Sequence, residues 1–153
     1  MSRGVATVPD ERLEQFLTQC GLTWSVVPWE EHADLTNQWE GLYGNPHHWV
    51  HQKQGAKAQF EYAQQSSEAF RIVPFLGSVA GPHSIGTSGP RKAAYDCQGG
   101  GTLPDLSAFA GTEFFIVPAD WSWTMIHTHE DYALGGPYFV RREWLGLPSR
   151  KKG

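Results

Sequence analysis

The feature that most constrains this chain is a change of period near Phe70. Before it, apolar residues recur every three or four places; after it, they crowd into neighbouring positions. Leu13, Phe16, Leu17 and Cys20 follow the i, i+3, i+4, i+7 spacing of one helical face. Asp10 can accept from the first-turn amides of that helix, and Gly21 stops it. A short extended piece over 24–29 leads to a second helix with Leu35, Gln38, Trp39 and Leu42 on one face, closed by Gly44. Asn45-Pro46 reads as a cap followed by a proline in the first helical position. That predicts a third helix over 47–69 with Trp49, Val50, Phe60 and Ala63 inward and Gly55 as a break.

From Phe70 onward the pattern is that of strands. Phe70, Ile72, Val73, Phe75 and Leu76 predict one strand ending near Gly77, and further strands follow over 92–97, 113–118, 122–128 and 137–141, with Ala119-Asp120 as a tight connection. Residues 77–90 contain four Gly and two Pro, and 98–105 contain three consecutive Gly, so both stretches read as loops. Helices first and strands later predict an α+β fold, N-terminal helices followed by a mainly antiparallel sheet of four or five strands. A chain of 153 residues is long enough to bury one sizeable core, so 1–153 reads as a single globular domain with a frayed basic tail at Arg150-Lys151-Lys152.

Composition then narrows the function. Seven Trp, five Tyr and eight Phe supply a large apolar payload, which excludes a disordered chain. A formal charge of -4 argues against nucleic acid as the partner, because phosphate affinity comes from Lys and Arg. Apolar runs such as 114–119 are far short of a membrane span, and the first residues lack the apolar core of a secretory signal. The expected location is the cytoplasm, with Cys20 and Cys97 reduced and Cys20 buried on the inward face of the first helix.

The densest chemistry lies at His127-Thr128-His129-Glu130-Asp131. Residues two apart in a strand share a face, so His127 and His129 can offer two imidazoles to one metal, with an oxygen from Glu130 or Asp131. The zinc isopeptidase pattern fails, since Pro137 stands where its Ser belongs and Val140 where its Asp belongs, and the cupin spacing fails too. His47 and His51 share a helical face, but the intervening residues lack the Glu of a zincin. Cys97 precedes a glycine-rich stretch that has no Lys-Ser/Thr of a phosphate loop, and a thiol there packs as a small hydrophobe. No cofactor is therefore expected.

Between 113 and 131 stand four carboxylates, Glu113, Asp120, Glu130 and Asp131, without a Lys or Arg. The end of the 122–128 strand should therefore project negative potential toward a protein partner with a basic surface. His129, Glu130 and Asp131 form the candidate binding tip, with Tyr138 and Trp121 as aromatic anchors. Two other readings stay open: a small metal-dependent hydrolase built on His127, His129 and Glu130, and a small-molecule binding module roofed by residues 77–90.

The C-terminal third also carries Glu113-Phe-Phe-Ile-Val-Pro, Trp123-Thr124, Thr128-His129-Glu130 and Gly136-Pro137-Tyr138-Phe139. In this it resembles a group of small bacterial proteins with a Trp-Thr, Thr-His-Glu, Gly-Pro-Tyr-Phe signature near the chain end. The position of His127 is often apolar in that group, which implies packing rather than ligation. The resemblance covers about 30 residues and transfers no activity. Its association with the immunity proteins of toxin systems implies a non-enzymatic protein that works by binding another protein.

Overall fold

The computed structural model describes residues 7–44, 52–65, 68–75, 91–99, 102–109, 113–127 and 136–145. In chain order the elements are β1 (Thr7–Val8), α1 (Glu11–Gln19), β2 (Thr23–Val26), α2 (Trp29–Tyr43), β3 (Lys53–Gln54) and α3 (Ala56–Ala63). They continue with β4 (Ala69–Pro74), β5 (Arg91–Lys92), β6 (Tyr95–Gln98), a 3-10 turn (Ser107–Phe109), β7 (Phe114–Pro118), β8 (Trp123–His127), β9 (Tyr138–Arg141) and α4 (Arg142–Leu145). Seven strands form one antiparallel sheet in the order β2-β6-β4-β7-β8-β9-β3, and β1 pairs with β5 in a separate parallel ribbon.

The α+β expectation holds, but the sheet has seven strands rather than four or five. The five central strands are those legible after Phe70. The two added at the edges come from the helical half of the sequence: β2 falls on the extended piece expected over 24–29, shifted to 23–26 because α2 starts at Trp29, whereas β3, two residues long, is too short to show alternation. Strands thus interleave with the N-terminal helices.

Alternation along each central strand sends side chains to two faces, and both faces are covered. Phe70, Ile72, Phe114, Ile116, Trp123, Met125 and Phe139 pack with Leu13 and Leu17 of α1, Ala58 and Tyr62 of α3, and Leu103 and Leu106. On the other face Val73, Phe115, Val117, Ile126 and Val140 pack with Leu35, Trp39 and Tyr43 of α2. Burial on both sides explains the unbroken apolar runs of β7 and β8, whose five residues each are all buried. Burying each such Phe or Ile contributes about 1.5–3 kcal/mol.

Three details of the helices depart from expectation. On α2 the inward stripe is His32, Leu35, Thr36, Trp39 and Tyr43, and Gln38 is exposed. Within the expected 47–69 helix, Lys53–Gln54 is a strand and a helix runs over Ala56–Ala63. Gly55 lies between them at φ 59°, ψ -128°, a conformation that favours glycine, so it marks a break, as expected, and also opens the helix that follows. That start sets the helical phase, so Ala58 and Tyr62 face the sheet while Phe60 and Ala63 are exposed. Trp49, Val50 and the histidines at 47, 48 and 51 lie outside the described residues, as does the basic tail. Cys20, expected inside, is exposed: α1 ends at Gln19, and Cys20 serves as its C-cap just beyond the packed face.

Candidate functional site: one end of the sheet and the acidic helices

The register places Pro74, Phe114 and His127 side by side, with Tyr138 opposite Ile126 on the next strand. Phe75, Glu113 and His127 therefore stand together at this one end of the sheet. The other end carries the tight turn through Ala119 and Asp120, where Trp121 takes φ 60°, a conformation costly for a bulky residue. Two bonds hold it: its amide donates to the Pro118 carbonyl, and the Tyr43 hydroxyl donates to its own carbonyl at 2.6 Å.

Two fully buried imidazoles sit at the Pro74–His127 end of the sheet. His127 ends β8 on the face it shares with Trp123 and Met125, its ring 5.1 Å from that of Phe114. His32, on α2, places Nε2 2.8 Å from the Pro74 carbonyl oxygen. Because α2 covers the opposite face, the sheet lies between the two rings, and they do not converge on a common ligand. Among the described residues there is no group of three or more His, Cys, Asp and Glu placed to hold a metal ion. The sequence did not point to His32, and the signal available was its place one turn before Leu35 and Thr36 on the inward stripe.

The other candidate residues fall apart in space. His129, Glu130 and Asp131 lie outside the described residues. Trp121 is buried in the core under α2 rather than presented to a partner, and Tyr138 is half-buried against the same core. Of the four carboxylates expected at one strand end, the two that are described stand apart: Glu113 enters β7 at the Pro74–His127 end, while Asp120 sits at the far turn, where its carboxylate accepts from the Ser122 amide. Apolar Phe115, Trp123 and Ile126 are buried, as a scaffold role requires.

Neither the Cys97 thiol nor the cavity between α1 and the sheet favours chemistry. Burial pushes the Cys97 thiol up from 9.0 to about 12, so it is a neutral thiol at physiological pH and lacks the thiolate a nucleophile needs. On the α1 side of the same end, Asp10, Leu13, Ile72, Pro74, Leu106 and Phe114 help to line a cavity of about 20 Å³, room for roughly one water molecule.

What the structure does concentrate is charge. Asp10, Glu11, Glu14, Glu30, Glu31, Asp34 and Glu40 stand against Arg12 alone, so residues 10–44 carry a net -6 in a chain whose total is -4. On α2 the four acids are all exposed. Glu30 and Glu31 in its first turn complement the helix dipole, but Glu40 near its C-terminus is where that dipole favours a cation, and no basic residue stands in the last turn. Arg12 is turned aside over the Phe109 ring, 5.1 Å from its centroid. No helix among the described residues is long and apolar enough to cross a membrane. Comparison with protein-family models, with curated proteins and with solved structures returns no match, so the functional reading rests on this chain's own residues.

Proposed function

We propose that the protein works by binding another protein with a basic surface, without catalysis, in the manner of an immunity or inhibitor protein acting in the cytoplasm. The observation that carries this reading is the segregation of charge, a net -6 over residues 10–44 against a net +2 over the rest of the chain. Such a surface steers a basic partner and speeds its encounter. Glu40 supports it in particular, since the helix dipole gives no reason for a carboxylate at that place.

The test is affinity capture from cells with the wild-type protein and with Asp34→Lys plus Glu40→Lys as baits. Both residues are exposed, so the variant should fold with nearly unchanged stability. The expected result is a basic protein held by the wild type at low salt and lost from the variant. A partner retained equally by both baits would show that the carboxylates of α2 are solvated surface only and take no part in binding.

A further inference from the structure

The outer edge of β2 offers a place for that partner's backbone. β2 pairs with β6 on one side, and among the described residues its other side pairs with no strand. The phase of the ladder shows what that side presents. Val27 donates its amide to the Ala94 carbonyl at 2.9 Å, so the Val27–Ala94 position is a hydrogen-bonded pair. In an antiparallel ladder bonded and non-bonded pairs alternate, so Ser25 and Thr23 also bond inward to β6. Trp24 and Val26 stand between them, and their N–H and C=O groups point outward.

An edge of this kind is ordinarily blunted by Lys, Pro, a bulge or extreme shortness. β3, at the opposite edge, is only two residues long and carries Lys53. β2 reads Thr-Trp-Ser-Val, with neither Lys nor Pro within it, a continuous register, and Val26 41% exposed. Its conformation is also fixed from within: the Trp24 indole donates to the Thr18 hydroxyl at 3.0 Å and packs edge-on against Tyr95, whose own hydroxyl donates to Glu14. Beside it, Trp24 and the α1 residues Glu11, Glu14, Gln15, Thr18 and Gln19 line an open groove of about 590 Å³ that contains two carboxylates and no cation.

Taking the protein-binding reading as given, we infer that β2 receives an extended segment of the partner as an added strand. Its Lys or Arg side chains, at alternate positions, reach over Trp24 into the groove of Glu11 and Glu14. Main-chain bonds to Trp24 and Val26 fix the segment, and the carboxylates select its charge. A second copy of this chain is the poorer occupant, because edge-to-edge pairing about a two-fold axis would bring the same acidic grooves together.

The probe is a synthetic octapeptide of alternating Lys and Thr, with alternating Glu and Thr as its control, and the readout is amide hydrogen exchange of the intact protein by NMR. The Lys peptide should slow exchange at Trp24 and Val26 by about tenfold or more at saturation, and the Glu peptide should not. Val26→Pro removes one outward donor without touching a bond to β6, and should abolish the protection while Val26→Ala retains it. Should Val26→Pro not fold, a Lys-Thr peptide N-methylated on alternate residues asks the same question from the ligand side: it keeps the charge, lacks the donors, and should not bind. Equal binding of the methylated and unmethylated peptides would overturn strand addition while leaving the acidic-surface reading intact. No binding of the Lys peptide would overturn strand addition at β2, while the acidic-surface reading would still stand or fall by its own capture test. Protection of Trp24 and Val26 that rises with protein concentration in the absence of peptide would assign the edge to a second copy and overturn the proposed occupant.

Discussion

At the scale of single residues, the buried polar groups explain more about stability than about chemistry. Trp39 shows how a large amphipathic ring is accommodated. It stacks on Phe115 with centroids 5.1 Å apart, while its indole donates to Thr124, whose hydroxyl in turn donates to the Ile116 carbonyl. A satisfied chain of this kind keeps a polar atom from costing the 1–3 kcal/mol, roughly, of an unmet one. Cys97 has no comparable charge-stabilising partner, and burial holds its thiol neutral to about pH 12, while burial also raises Tyr43, Tyr62 and Tyr95 above the ordinary tyrosine range. These groups ionise in the unfolded chain at lower pH than in the folded one, so the unfolded state binds fewer protons in that interval and stability falls as pH rises. The contribution of Cys97 is fully present below about pH 9 and is lost progressively toward about pH 12. Denaturant midpoints should therefore decline from pH 9 upward, and Cys97→Ala should flatten the first part of that decline. In the same native protein a thiol reagent should label exposed Cys20 and spare Cys97. Labelling of both at one rate would contradict the packing given to β6.

At the scale of elements, Gly55 connects an edge strand to a helix. Its amide donates to the Pro137 carbonyl at 2.9 Å and its carbonyl accepts from Gln59, so one residue at positive φ closes β3 against β9 and starts α3. Gly55→Ala should cost about 1–2 kcal/mol, read as a shift in denaturant midpoint at unchanged slope. A neutral substitution would mean that α3 finds another start. The same position shows what the sequence could and could not reveal. Leu13 and Leu17 gave α1, and the crowding of apolar residues gave β4 and β6 to β9, because those elements bury enough surface to leave a period. Gly55 carried its signal in a backbone angle, which a one-letter code records only as a glycine. β2 and β3 owe their place to neighbours already in the sheet, and His32 hides in an otherwise apolar stripe. The candidate site was least legible of all. Asp120 and Glu113 are close in sequence yet lie at opposite ends of β7, and the acids of α1 and α2 count as a surface only once both helices are docked.

At the scale of the whole molecule, the sheet is covered on both faces, its two longest N-terminal helices turn carboxylates outward, and the strand between them is an edge strand that pairs only with β6 among the described residues. Sequence order alone thus gathers an acidic region with a sheet edge into residues 10–44, and the central claim is that this region is where a basic protein docks. The most direct measurement is the association rate of the captured partner as a function of ionic strength, for the wild type and for Asp34→Lys plus Glu40→Lys. Exposed charges are screened over about 10 Å at 0.1 M salt, so steering by this surface must weaken as salt is added. The predicted result is a wild-type rate that falls about tenfold or more between low and high salt, and a variant that is slower at low salt with a flatter dependence. A rate indifferent to both salt and the two substitutions would contradict the account.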